Sequence, residues 1–341
     1  MAAPPQERAV DSKPYIRHHP VLGYEYAPDT VHELPRPGGG RYRLRTNAEG
    51  IRSDRTYTRA RPVGVRRVLV FGDSFAAGQY VSNDQRFSEL LEARRPDLEV
   101  INFGLEGTGT DQQLLLFEEV GRHYEHDALV LMPFLQNIRR NLVEARAAAD
   151  PASGAMVLIP KPRFELTPQG LQLRNVPVRD ERRLAPAGLG ADDAIVPGRW
   201  WRRLAAQAPG AGWLKRQVGR LRPWEPFPEY ADPKHPAWQL MEALIERFIA
   251  GAEGKPILLV PVFYVSYLRQ QMARNYWDRF QSLARHPNVR VVDLLPPFRD
   301  LGAEAESVFL EPHDCHFSPA GHLVLANVLE RELAAVGAIS G

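Results

Sequence analysis

Five short apolar runs rich in β-branched residues recur between residues 68 and 294, at 68–71, 100–103, 129–132, 257–262 and 289–294. Their mostly continuous apolar character suits strands buried on both faces. Helical patterns separate them over residues 110–123, 238–250, 267–284 and 319–335. Strand and helix in alternation imply right-handed crossovers, hence an α/β chain with a mostly parallel central sheet and helices on both faces. Functional side chains are then expected on loops at the carboxyl ends of the strands.

Local signals sharpen that frame. Thr110 is the expected cap of the 110–123 helix, and Ser318 followed by Pro319 is a cap and first-turn signal for the last helix. With 341 residues, 44% of them hydrophobic and 25% charged, the chain can bury a full-sized core. Residues 1–64 read as an N-terminal extension: the first twenty are polar and proline-bearing and expected to be poorly ordered. In "GGGRYRLRTNAEGIRS" the alternation from Arg41 to Thr46, then turn residues at Asn47 and Gly50, predicts a short hairpin laid on the main domain. The main domain is read as residues 65–341. Within it, residues 145–235 are rich in Pro, Gly and Arg and break the strand-helix rhythm, so they read as a lid-like insertion over the site rather than a separate domain.

Charge and targeting signals exclude several classes. Forty-three basic residues nearly balance 41 acidic ones, for a net charge of +2, so nothing global points to nucleic acid. The one cysteine, Cys315, rules out an internal disulfide. No apolar h-region opens the chain and no run approaches about 20 apolar residues, so neither a signal peptide nor a membrane span is expected; the expected location is cytoplasmic.

The chemistry concentrates in two distant stretches. In "RRVLVFGDSFAAGQY" Ser74 lies just past the first buried run, where a sheet delivers side chains to its reactive edge and a following helix start favours developing negative charge. A serine needs a base. "EPHDCHFSPAGH" supplies His316 with Asp314 two residues upstream, immediately before the last helix. A serine, an imidazole to take its proton and a carboxylate to orient that imidazole are what nucleophilic acyl transfer requires. His313, Asp314, Cys315 and His316 also invite a metal reading, but four ligands in one short loop do not readily surround a single ion, and no second cluster completes the set. Cys315 as nucleophile would leave Ser74 unexplained. His313 is a weaker candidate for the base, and Asp73 is expected to hold the turn.

These blocks in order, Gly-Asp-Ser-Phe, "NFGLEGTGTDQQ", "LMPFLQNIRRN" and Asp-x-His, resemble the SGNH, or GDSL-type, hydrolase family across roughly residues 41–334 without the insertion. The resemblance implies a three-layer α/β/α fold of the flavodoxin-like kind and esterase, lipase or carbohydrate deacetylase activity, with no metal or organic cofactor. It implies Ser74 as nucleophile, His316 as base and Asp314 as its orienting partner, with the N–H groups of Ser74 and Gly104 and the Asn137 side chain as the oxyanion hole. The third block departs from the family's Gly-x-Asn-Asp, so Gln136 stands as the alternative to the preferred Asn137, and Asn141 is left to cap or solvate. The family's Asp-x-x-His is shortened to Asp-x-His. His322 matches the family's Gly-His helix start and reads as structural.

The expected function is therefore a serine esterase or deacylase that removes an acetyl or other acyl group from a sugar or small metabolite. The alternatives are an acyltransferase using the same acyl-enzyme and a non-catalytic binding protein of the same fold. Residues 199–222 carry three of the six tryptophans and seven basic residues with no acidic one. They read as part of the lid, able to meet an anionic substrate, an acidic carrier protein or a membrane surface.

Overall fold

The apolar runs become one parallel sheet, preceded by two hairpins and interrupted by a block of antiparallel strands. The computed structural model describes residues 15–149, 153, 155–185, 223–269, 272–305 and 307–340; the basic tryptophan-rich stretch 199–222 lies outside them. In chain order the strands β1 (Ile16–His19), β2 (Gly23–Tyr26), β3 (Val31–Pro35) and β4 (Arg41–Arg45) come first. Next are β5 (Arg66–Gly72), α1 (Ser74–Ala77), α2 (Phe87–Arg94), β6 (Leu98–Asn102), α3 (Thr110–Glu119), β7 (Ala128–Met132) and α4 (Asn137–Arg140). The strands β8 (Ala145–Ala149), β9 (Met156–Pro160), β10 (Arg163–Thr167), β11 (Gly170–Arg174) and β12 (Arg183–Leu184) form the interruption. Finally α5 (Pro236–Gly251), β13 (Ile257–Leu259), α6 (Ser266–Arg269), α7 (Asn275–Gln281), β14 (Val289–Val291), α8 (Leu295–Arg299) and α9 (Pro319–Ala335) complete the fold.

The central sheet has the order β14-β13-β7-β5-β6 and all its pairs are parallel. Counted among themselves these strands run 2-1-3-4-5 from the β6 edge, the flavodoxin-like order, whose switch point lies between β5 and β7. Every residue of β6 and β7 is buried, as continuous apolar strands require when helices cover both faces. Packing of α2 against α9 and of α3 against α5 supplies that cover. Phe71, at the end of β5, stacks on Phe103 at 5.2 Å and meets Phe117 and Phe248 edge-on, which anchors the strand end that precedes Ser74.

Several local expectations are corrected. The predicted strand 257–262 ends at Leu259, and Val262 keeps only an isolated bridge to Phe134. The run 289–294 ends at Val291, because Asp293 accepts from the Leu295 N–H and starts α8. The long helix predicted over 267–284 is split into α6, α7 and a 3₁₀ turn at Ser282–Arg285. Met272 bridges Trp224, and the Ala273 N–H donates to the Trp224 C=O at 3.0 Å, so that backbone is paired across the fold instead of along a helix. Gly109, not Thr110, is the N-cap of α3. The predicted hairpin exists with a different partner: β4 pairs with β3 upstream, through a turn whose Gly38, Gly39 and Gly40 all have positive φ, while Asn47–Gly50 closes only a single Thr46–Arg52 bridge.

Around this core sit smaller sheets. The extension supplies the β1-β2 and β3-β4 hairpins; residues 145–185 supply the three-stranded β12-β9-β8 sheet and the β10-β11 hairpin. A second apolar cluster joins Tyr15, Tyr24, Tyr26, Tyr42 and Leu44 of the extension to Leu105, from the loop after β6. Extension and interruption also touch each other: the Val178 N–H donates to the Pro20 C=O at 2.7 Å and the Val178 C=O meets His18 Nε2 at 2.9 Å. No helix among the described residues is long and apolar enough to cross a membrane.

Candidate active site

Ser74 opens the short α1 immediately after β5, and Asp73 caps that helix by accepting from the Phe75 N–H at 3.1 Å. The cap satisfies an amide that would otherwise be orphaned at the helix start. The second Asp73 oxygen accepts from Arg140 Nη1 at 2.7 Å. Burial pushes the Asp73 carboxyl up against the opposing pull of Arg140. As the sequence suggested, Asp73 is occupied in holding the turn.

The loop before α9 presents the imidazole. His316 Nε2 lies 2.7 Å from Ser74 Oγ. Its Nδ1 is hydrogen-bonded to Asp314 Oδ1, which also accepts from the His316 backbone N–H at 3.0 Å. The shortened Asp-x-His spacing works because residues 308–318 fold back on themselves. The Leu310 N–H donates to the His316 C=O at 2.9 Å, the Asp314 N–H to the Leu310 C=O at 3.1 Å and the Ser318 N–H to the Val308 C=O at 2.9 Å, so the carboxylate needs only one intervening residue to reach the ring. Burial raises the Asp314 carboxyl, but the His316 hydrogen bond, its charge and nearby backbone amides outweigh this and hold Asp314 below the ordinary carboxylate range. Ser318 caps α9 by accepting from the Gly321 N–H.

Two side chains that the sequence reading passed over frame the imidazole. Phe75 lies 4.8 Å from the ring and Tyr80 meets it edge-on at 5.5 Å. Phe75 was visible in the Gly-Asp-Ser-Phe motif. Tyr80 carries no such mark; its positive φ of 70° is a property of the folded backbone.

The candidate amides sit close together after β7. Asn137 is fully buried at the start of α4; its Oδ1 accepts from Arg140 Nη1 at 3.3 Å, and its Nδ2 has no partner among the described residues. A buried donor without an acceptor costs about 1–3 kcal/mol, which a bound oxyanion would offset. Gln136 is only partly buried, and its Oε1 accepts from the Tyr264 hydroxyl. Asn141 does not face solvent: it is buried, its Oδ1 accepts from the Asp111 N–H at 3.3 Å in the first turn of α3, and its Nδ2, like that of Asn137, has no partner among the described residues.

The Gly104 amide, expected as an oxyanion donor, is engaged within the loop. Its N–H donates to Asn102 Oδ1 at 2.8 Å, and a Cβ there would fall 2.4 Å from the Ala77 nitrogen. Gly104 serves close packing of the loop against α1, and its amide is spent. Three residues on, Glu106 and Gly107 are the centre of a β-turn closed from the Thr108 N–H to the Leu105 C=O, and Gly107 has φ of 75°, as the third position of a type II turn requires. The Gly107 N–H has no acceptor among the described residues. This turn is tied to the two residues that precede the serine: the Leu105 N–H donates to the Gly72 C=O at 3.1 Å, and Arg140 Nη1 reaches both Asp73 and the Thr108 C=O.

The remaining candidates stand apart. His322 is buried, stacked on Phe87 at 5.9 Å, and burial pushes its pKa down to about 3. His313 is exposed, with its ring against the backbone of Gly38. Asp314, Cys315 and His316 bring potential ligand atoms within 4.8 Å of one another, but His316 uses both ring nitrogens on Asp314 and Ser74, so an ion would have to break that pair.

The sequence model of the GDSL-like lipase/acylhydrolase family matches residues 70–324, from within β5 to within α9. Comparison with curated proteins finds no match. Among solved structures, the lipase/acylhydrolase from Enterococcus faecalis is 14% identical, with a TM-score of 0.41 over 80% of this chain and 96% of that one. An acetyl xylan esterase, Axe2 from Geobacillus stearothermophilus, is 16% identical with a TM-score of 0.43 over 80% and 96%. LAE5, an alpha/beta hydrolase enzyme from the metagenome of Lake Arreo in Spain, is 14% identical with a TM-score of 0.44 over 81% and 97%. With three quarters of its length under the family model and its sheet in the flavodoxin-like order, the chain belongs to the GDSL-like lipase/acylhydrolase family and is a serine hydrolase of ester bonds.

Proposed function

We propose that this enzyme removes an acyl group from a hydroxyl of a sugar or small metabolite through an acyl-enzyme on Ser74. His316 takes the Ser74 proton on Nε2 as Oγ attacks the ester carbonyl carbon, and the carbonyl π pair moves onto oxygen. Asp314 holds the ring tautomer that leaves Nε2 free and stabilises the imidazolium. The imidazolium returns its proton to the departing alkoxide as the C–O bond breaks. Water, deprotonated by the same nitrogen, then attacks the acyl carbon, the C–Oγ bond breaks as the imidazolium returns that proton to Ser74 Oγ, and the acid is released.

The oxyanion donors in this reading are the Ser74 N–H, Asn137 Nδ2 and, in place of Gly104, the Gly107 N–H. The 2.7 Å approach of His316 Nε2 to Ser74 Oγ, with Nδ1 held by Asp314, carries the proposal. The unpartnered Asn137 Nδ2 supports its oxyanion part.

Burst kinetics with p-nitrophenyl acetate and labelling by a fluorophosphonate test it. Ser74→Ala should abolish both while the circular dichroism spectrum and melting temperature stay close to those of the parent. Unchanged labelling of the variant would remove Ser74 from the mechanism.

A further inference from the structure

The carbonyl of Glu106 and the N–H of Gly107 belong to one planar peptide unit and point to opposite sides of it. Whatever binds the carbonyl therefore orients and polarises the amide. Two donors converge on that carbonyl: Tyr24 Oη at 2.8 Å and Arg146 Nη1 at 3.1 Å. Arg146 Nη1 also donates to Tyr24 Oη at 3.2 Å, and its guanidinium lies 5.7 Å from the Tyr24 ring centroid. Tyr24 is on β2 of the extension and Arg146 on β8 of the interruption, so two segments far apart in sequence meet on one carbonyl.

We infer that Tyr24 and Arg146 are positioning residues that fix the Glu106–Gly107 peptide and strengthen its N–H as an oxyanion donor. The inference rests on the proposed use of the Gly107 amide. A charged donor on a carbonyl draws electron density along the peptide, and hydrogen bonds in such chains reinforce one another. The orientation is over-determined. Leu105 is pinned to Gly72 through its N–H and buried in the tyrosine cluster of the extension. Thr108 Oγ1 donates to the Leu105 C=O at 2.8 Å. Arg146 Nη1 occupies the space a side chain at 107 would need, 1.1 Å from an ideal Cβ, so glycine, the cation and the left-handed turn come as a set.

The test is steady-state kinetics on p-nitrophenyl acetate with Tyr24→Phe, Arg146→Lys and Arg146→Met, alongside inhibition by an aryl trifluoromethyl ketone, whose adduct with Ser74 carries an oxyanion. Tyr24→Phe keeps the ring and loses one neutral donor, so kcat should fall about 3- to 10-fold with KM unchanged; Arg146→Met should cost about 10- to 100-fold, as loss of a charged donor does. Arg146→Lys should recover part of that loss, and ketone affinity should fall by the same factors as kcat. The double variant should lose less than the product of the single losses, because both donors act on one carbonyl. Changes confined to KM would make these side chains substrate contacts and overturn the inference. So would unchanged kcat in Tyr24→Phe and Arg146→Lys, which decide the matter if Arg146→Met does not fold. Asn137→Ala measured in parallel separates the two readings: a fall there with no fall at Tyr24 or Arg146 sinks only this inference, whereas turnover surviving in Ser74→Ala sinks the mechanism beneath it.

Discussion

The parallel core and the antiparallel shell build the site from different materials. Ser74 opens α1 directly after β5, and His316 and Asp314 lie on the loop before α9, where strands are buried on both faces and the backbone is tied by several hydrogen bonds. Tyr24 and Arg146 come from sheets of two and three strands beside a small tyrosine-rich cluster. A two-stranded hairpin such as β1-β2 is at best marginally stable alone and depends on docking. Under the proposed mechanism labour is divided: the core would carry the reacting groups, and the shell would set how well one of the donor amides is aimed. Losses at core positions should accordingly exceed losses at shell positions.

The largest expected effect after removal of Ser74 is at Asp314. Asp314→Asn should keep the fold and lower kcat by about 10⁴-fold, by analogy with the same change in another serine triad, because an amide can favour the wrong imidazole tautomer. Replacing His316 in that background should then cost much less than in the parent, since members of one catalytic unit are not additive. A loss at Asp314 no larger than that of Tyr24→Phe would break the comparison outright. Asn137→Ala should lower kcat by about 10²–10³-fold with little change in KM, whereas Gln136→Ala should lose less. The reverse order would move the donor one residue back.

Stability against pH sharpens the contrast on the core side. His322 is neutral in the fold, with its pKa pushed down to about 3 from an ordinary 6.5 by burial. As pH falls below 6.5 the unfolded chain binds a proton that the folded chain refuses, so stability is present above 6.5 and drains away toward pH 3. Between pH 6.5 and 4.5 this should cost on the order of 2 kcal/mol, measurable as a shift in urea midpoint. His322→Phe should flatten that dependence; an equally steep profile in the variant would acquit His322. The smallest effect belongs to the shell-facing histidine. His313→Ala should retain activity within about twofold, as a surface change remote from the reacting atoms does, and EDTA should leave turnover unchanged. A dead His313→Ala enzyme of normal fold would reopen the metal reading.

What the chain discloses on its own is local. Continuous β-branched runs, the Ser318-Pro319 cap and the Gly-Asp-Ser-Phe and Asp-x-His blocks were enough to expect the parallel sheet and to name the three side chains that the fold brings into hydrogen-bond contact. Periodicity reports which faces are buried, and strand ends say which loops share an edge. The split of the 267–284 helix was not legible, because its cause is a backbone bond to Trp224, about fifty positions away in sequence. Nor was the choice between Gly104 and Gly107 within "NFGLEGTGTDQQ". Both are glycines in one short block, and only the completed hydrogen bonding reveals that Asn102 consumes the first amide while Tyr24 and Arg146 brace the peptide of the second. Which donor is left over is a sum across the whole molecule, so only the tertiary structure decides it.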